Sequence, residues 1–402
     1  MKRKFDLALI GVFIAIIVLF TSFSVFGEKR EFSVDENRAL MLMPEISKDA
    51  VLDGSFQHDY EEYLSDQFEW RSTFVKVKTD LMLASGRKDF NGVFIGKDGY
   101  LIEKYDKADY DFDTVKYNEE TLSDFLTYAA DEYGINTVCS FVPSKSGVLL
   151  KELPSMVQTF DSSYIASEVL EYAKGVKTAD LYKTLQSHDG EYIYYRTDHH
   201  WTSLGAYYAY GSLCKPLGIK PVSLNKLEAN EVSRDFYGST FDKVQINTEP
   251  DVITSYNTGI KVSVNYSDGE RAASLYSPEM LKEKNKYDYF LGGNFSRIDI
   301  STDADSDRTL LLIKDSYANS IVPFLCCNYS NIIMLDLRFY DGDVYELLDE
   351  EDIDDLLVLF NTEKFMIDEN MDLLEQVSPD AQEFDEDDAF VEEAEAEMEN
   401  GN

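Results

Sequence analysis

Apolar and polar positions along the chain change spacing several times, and each change predicts an element. Residues 7–26 are a near-continuous apolar run, broken only by Gly11, Thr21, Ser22 and Ser24, and preceded by Lys2, Arg3 and Lys4. Roughly 20 apolar residues span a bilayer, and a basic flank stays on the cytoplasmic side. The expectation is a single-pass transmembrane anchor over residues 1–27 with the rest of the chain extracytoplasmic, at the cell membrane. A cleaved signal peptide is the alternative, although the run is long for a signal core and no Ala-x-Ala site follows. Beyond a polar connector, Phe56, Tyr60, Tyr63, Leu64 and Phe68, then Phe74, Val77 and Leu81, recur at helical spacing, with a break at residues 66–71. Residues 91–102 read as a hairpin, two apolar runs joined by Gly-Lys-Asp-Gly.

From residue 117 helical and strand-like patterns alternate. Helices are predicted over 117–133 and 162–173, and strands over 135–142 and 176–181. Residues 220–300 break the alternation: they are short-patterned and rich in Tyr, Ser, Thr, Asn and Asp, as expected of an inserted small-strand region covering a cleft. Alternation returns with strands over 309–313, 331–338 and 355–361, a helix starting straight after Ser316, and a short helix over 345–348. The predicted fold class is α/β, a parallel sheet flanked by helices. One domain is expected over 28–375, including the 220–300 insertion, followed by a tail at 376–402.

Composition narrows the function. The 402 residues include 76 acidic and 37 basic side chains, a formal charge of −39, which argues against nucleic acid because phosphate binding needs a basic face. No Lys or Arg follows Lys364, and the acidic tail reads as solvated and disordered. Four cysteines, without a C-x-x-C or zinc-ligand spacing, read as buried free thiols. No metal and no cofactor are expected. The 27 tyrosines and 25 phenylalanines are mostly core, though such rings also line sugar-binding clefts.

The candidate chemistry sits in two stretches. Two of the four histidines, His199 and His200, stand beside Asp198 and Trp201, just before a helix that Thr202 and Ser203 can cap. Asp198 can fix the tautomer of His200, which can then act as a base. In an extended segment the His199 ring would point away from that of His200. The second stretch is Lys314-Asp-Ser316, at a strand-to-helix junction where backbone N–H groups can face an oxyanion. Ser316 is a candidate nucleophile or simply a helix cap. Asn361, at another strand end, is a candidate oxyanion donor or a turn residue. Arg338 is a candidate substrate-binding residue or the partner of Asp336 or Asp341. Trp201 and Arg196 complete the candidate binding set.

The segments Tyr195-Arg-Thr-Asp-His-His-Trp201, Phe141-Val-Pro-Ser-Lys145, Phe94-Ile-Gly-Lys-Asp-Gly-Tyr-Leu101, Lys314-Asp-Ser-Tyr-Ala-Asn-Ser320 and Asp336-Leu-Arg-Phe-Tyr340 resemble the DHHW protein family. That family is similar to the SGNH-hydrolase-like O-acetyltransferases of alginate biosynthesis. The resemblance covers roughly residues 35–370. It implies an SGNH-like α/β domain in which Asp198 orients, His200 is the base and Ser316 is acylated, with His199 in a variable position. It further implies a polysaccharide acceptor and a multi-pass membrane acyltransferase that supplies acetyl groups. No carbohydrate-binding module is recognisable after the catalytic region. The expected function is a membrane-anchored O-acetyltransferase acting on cell-envelope or exopolysaccharide glycans. A carbohydrate acetylesterase and a non-catalytic scaffold or glycan-binding protein are the alternatives. The metal-dependent DHH phosphoesterases share the Asp-His-His letters, but they need further spaced Asp ligands that this chain lacks.

Overall fold

The computed structural model describes residues 2–26, 29, 32–33, 38–68 and 70–375. Its centre is a seven-stranded mixed sheet. The strands are β1 (Asn136–Val142), β2 (Val262–Tyr266), β3 (Arg271–Ala272), β4 (Arg297–Thr302), β5 (Thr309–Lys314), β6 (Asn331–Leu335) and β7 (Asp355–Asn361). They lie in the order β3-β2-β4-β6-β5-β7-β1. The four strands β6, β5, β7 and β1 are parallel, whereas β4, β2 and β3 continue the sheet antiparallel.

Apolar runs without alternation form the parallel centre because both faces of those strands are covered. Successive side chains of one strand serve the two faces. Leu310 and Leu312 pack with Trp201, Tyr210 and Leu213 on one face. Leu311 and Ile313 pack with Leu122, Phe125 and Leu126 on the other. The second set comes from the helix Phe112–Glu132, which begins five residues earlier than its apolar spacing suggests because Asp111 caps it. The first set includes the helix Ser203–Leu217, capped by Thr202 as expected.

Several sequence expectations need correction. The sheet is mixed, not purely parallel, and the 220–300 region is not merely a cover: it supplies β2 and β3 and leads into β4. Residues 176–181 form no strand; Lys177 makes one isolated bridge to Val138, and Leu181–Gln186 is a short helix. After Ser316 the chain makes a 3-10 turn (Ser316–Ser320) before a four-residue helix, Val322–Leu325. All four cysteines are free, and burial raises the pKa of Cys139, Cys214 and Cys326.

The helices Ser55–Asp66 and Arg71–Ala84 flank the expected break. The amino-terminal run is one helix, Lys2–Phe26, whose Phe20 ring packs on Phe68, Trp70 and Phe74. Among the described residues, however, no helix is long and apolar enough to cross a membrane. The acidic tail at 376–402 lies outside the described residues.

Candidate active site

The parallel strands place their carboxyl ends on one edge, and β5 ends there with Lys314, followed by Asp315 and Ser316. Asp315 fixes this corner: one carboxylate oxygen accepts from Tyr317 N (2.9 Å) and the other from Asn361 N at the end of β7 (2.7 Å). Burial raises the Asp315 pKa against these bonds. Ser316 is half-buried between fully buried neighbours, so its hydroxyl is the reachable group of the turn. As the first residue of the turn, its N–H has no acceptor within it.

The Asp-His-His-Trp segment reaches this corner as a tight loop. Tyr194 and Trp201 form an antiparallel bridge that closes it. Asp251 accepts from Arg196 N (2.8 Å) and Thr197 N (2.7 Å). From beneath, the buried Lys145 ammonium donates to the carbonyls of Leu101, Tyr195 (3.2 Å), Arg196 (3.4 Å) and Asp198 (2.7 Å). Burial lowers the Lys145 pKa to about 8.

Two regions 116 residues apart thereby meet: His200 Nε2 lies 2.8 Å from Ser316 Oγ, and His200 Nδ1 lies 2.6 Å from Asp198 Oδ1. The Asp198 contact sets the Nδ1–H tautomer and leaves Nε2 to accept from the serine hydroxyl. Asp198 Oδ2 accepts from Ser239 N (2.9 Å) and Ser239 Oγ (3.2 Å). Burial works against the Asp198 charge, but His199, His200 and the hydrogen bonds from the His200 ring and N–H outweigh it and hold its pKa well below the usual carboxylate range. Gly238 makes room for that carboxylate, since a Cβ there would lie 2.2 Å from Asp198 Cβ. Gly238→Ala is expected to displace Asp198 and lower any turnover that depends on the Ser316 hydroxyl by about 100-fold or more, judged from what misplacing a reacting group costs. Steady-state kinetics alongside a thermal melt would check it, with kcat falling much further than the folded fraction.

His199 does not point away from its neighbour. The two imidazole rings lie 3.8 Å apart, because His199 Nδ1 is held by Ser239 Oγ at 2.6 Å. The segment is a tight loop rather than an extended strand, so the alternation rule does not apply. Burial, reinforced by His200, lowers the His199 pKa to about 3, against an ordinary 6.5. Between those values the unfolded chain holds a proton that the folded chain lacks, so this residue's contribution to stability falls as pH drops through that window. Thermal melts from neutral pH down to about 3 are expected to show weaker acid destabilisation in His199→Gln than in the parent.

The other predicted binding residues have structural engagements. Trp201 is buried, and its Nε1 donates to Tyr317 O and Ser320 Oγ, both at 2.9 Å, so it braces the serine turn. Asn361 is not an oxyanion donor: its amide N–H groups go to Val142 O (3.0 Å), Ser144 Oγ (3.0 Å) and Glu363 (3.2 Å). Its Oδ1 caps the next short helix at Lys364 N. Arg338 makes a two-pronged ion pair with Asp336 (2.8 and 2.6 Å), the structural option for this residue. Arg196 donates to Asp98 O and covers the Tyr100 and Tyr192 rings, away from Ser316.

Sequence reading missed Tyr287. Its ring stacks on His200 at 3.7 Å and 5°, and its hydroxyl donates to Ser316 O (3.2 Å) and Ser320 Oγ (3.1 Å). One Tyr among many in an irregular region carries no local signal. Asp198, His199 and His200 have ligand atoms within 4.8 Å of one another and are the one group of potential metal ligands among the described residues. Both His200 nitrogens and His199 Nδ1 are already engaged, so a cation there would have to break the Asp198–His200–Ser316 chain. A cleft of about 640 Å³, between Ile165–Tyr172 and Leu181–Gln186, does not include Ser316.

A buried carboxylate, an imidazole and a reachable serine on the carboxyl edge of an α/β sheet define the Ser-His-Asp class of site. Residues 157–335 match the family model described as DHHW protein. A curated relative, the probable alginate O-acetylase AlgJ of Pseudomonas syringae pv. tomato (strain ATCC BAA-871 / DC3000), is 26% identical over 222 residues, covering 51% of this chain and 51% of the relative. The chain thus spans about half the length of the curated relative it matches. A DHHW family protein from Eubacterium siraeum DSM 15702 has the same fold, with a TM-score of 0.60 at 23% identity over 71% of this chain and 95% of that one. PatB1 of Bacillus cereus, solved with a sulfonyl adduct, gives 0.59 at 20% identity over 71% and 98%. At these identities the likeness to the two structures is one of fold.

Proposed function

We propose that this chain is an extracytoplasmic O-acetyltransferase that modifies cell-envelope or exopolysaccharide glycans through an acyl-enzyme on Ser316. The observation that carries the reading is the unbroken hydrogen-bond chain from Asp198 through His200 to the Ser316 hydroxyl. In the first step Ser316 Oγ attacks the acetyl carbonyl, and His200 Nε2 takes its proton while Asp198 steadies the resulting imidazolium. The donor's leaving group departs with that proton. In the second step a glycan hydroxyl attacks the acyl-serine, giving its proton to His200, and the serine oxygen leaves and is reprotonated. The relationship to a probable alginate O-acetylase supports a glycan acceptor.

The apolar sequence run over residues 7–26, preceded by Lys2, Arg3 and Lys4, supports an anchor that keeps the domain beside a multi-pass acyltransferase supplying acetyl groups. The half-open position of Ser316 also favours a second reading, an acetylesterase in which water takes the acceptor's place. Mass spectrometry of the protein exposed to p-nitrophenyl acetate, followed by addition of oligosaccharides, separates these. A transferase yields an acetyl adduct on Ser316 that is discharged onto sugar. An adduct lost at one rate whatever acceptor is present identifies an esterase, and no adduct at all leaves a non-catalytic scaffold.

A further inference from the structure

The loop over residues 285–294 is stitched to the nucleophile's own turn at several points. Besides the Tyr287 hydroxyl bonds, Asn319 Nδ2 donates to Gly293 O and Asn294 Oδ1, both at 3.2 Å. The buried Lys314 ammonium donates to the same Asn294 oxygen at 3.1 Å. Such anchoring holds the loop against the mouth of the site, where it forms a wall beside His200.

The residue after Tyr287 is Asp288, a half-buried carboxylate that none of the steps above uses. Its Oδ2 accepts from Asn285 Nδ2 at 2.9 Å, while Oδ1 accepts from no side chain or backbone among the described residues. Gly293 packs beside it at φ +116°, where other residues are strained, and a Cβ there would lie 3.5 Å from that Oδ1, in ordinary contact. Burial raises the Asp288 pKa to about 6, with His200 lowering it and Asp198 raising it. A carboxylate with one oxygen left without a donor, on the residue after the tyrosine that stacks on His200, is suited to accept from a hydroxyl group.

We propose that Asp288 is the acceptor-positioning residue, its free Oδ1 accepting a hydrogen bond from a hydroxyl adjacent to the one that attacks acyl-Ser316. The inference rests on the transferase reading and specifies its acceptor as a polyol with neighbouring hydroxyls, as in a pyranose ring. The attacking hydroxyl gives its proton to His200, its oxygen bonds to the acetyl carbon, and the bond from that carbon to Ser316 Oγ breaks. Asp288 exchanges no proton; it fixes which hydroxyl faces the ester.

The test uses the full-length chain with p-nitrophenyl acetate as donor and chito-, cello- and alginate oligosaccharides as acceptors, with acetylated sugar and free acetate measured together. For whichever acceptor the parent modifies, Asp288→Asn is expected to raise the acceptor KM and lower the ratio of transfer to hydrolysis at least tenfold. Asp288→Glu, which keeps the carboxylate, is expected to recover part of that ratio. A ratio within twofold of the parent overturns the proposal, as does an equal fall in transfer and hydrolysis, which would make Asp288 a support for His200. Should the parent transfer acetyl to none of the sugars while still releasing acetate, the transferase reading itself fails and this inference falls with it.

Discussion

Ser316→Ala is expected to abolish the acetyl adduct and to lower donor turnover by roughly 10⁴-fold or more, the scale seen when a triad nucleophile is removed. The geometry makes the loss complete, because the neighbouring hydroxyls are otherwise committed. Ser320 Oγ accepts from Trp201 and Tyr287, and Ser239 Oγ sits between Asp198 and His199. Asp198→Asn should cost about as much, since an amide in that place favours the wrong His200 tautomer. His200→Ala combined with Ser316→Ala should be scarcely worse than either change alone, because the groups act as a unit. Intact-mass measurement of each variant after exposure to the donor checks the adduct, and initial rates check the turnover. An adduct persisting in Ser316→Ala would place the nucleophile elsewhere.

Lys145→Met is expected to have the largest effect on folding. The buried ammonium's N–H groups serve four backbone carbonyls, three of which (Tyr195, Arg196 and Asp198) belong to the Asp-His-His-Trp loop. Methionine fills similar space but takes that donor from all four oxygens; Arg196 O keeps the Leu101 N–H at 2.8 Å, and each of the others left stranded costs about 1–3 kcal/mol. Part of the penalty is relieved because the charge itself is no longer buried, which the lowered pKa marks as unfavourable. A net loss of about 3–5 kcal/mol is the scale for breaking a buried charged contact from one side. Denaturant unfolding would measure it. The activity of the protein that remains folded should fall as well, because the loop holding Asp198 and His200 is no longer pinned. If stability is unchanged, the ammonium is not the fastener described.

Much of this was legible in the sequence where the cause is local. The apolar runs at 309–313 and 355–361 became central strands because an uninterrupted apolar stretch needs cover on both faces. Thr202 caps the helix Ser203–Leu217 as its side chain predicts, and Asp315-Ser316 stands at a strand end as the pattern requires. Where a reading depended on what lies opposite, it failed. Residues 176–181 have strand-like spacing but only one bridge to β1, so no ladder forms. Asn361 has the right chemistry for an oxyanion donor, yet its amide turns to Val142, Ser144 and Glu363, which no reading of its own neighbourhood indicates.

The sequence by itself determined the α/β class, the pairing of Asp198 with His200 two residues apart, and Ser316 at a strand's end. Those features arise from side-chain periodicity and from bonds closed within a few residues. Only the tertiary structure decided that the imidazole and the hydroxyl meet, that Lys145 and Asp251 shape the loop carrying the imidazole, and that Tyr287 lies flat on it. Contacts between residues a hundred or more positions apart depend on the register and order of strands in the sheet. A one-dimensional pattern of apolar residues does not encode those.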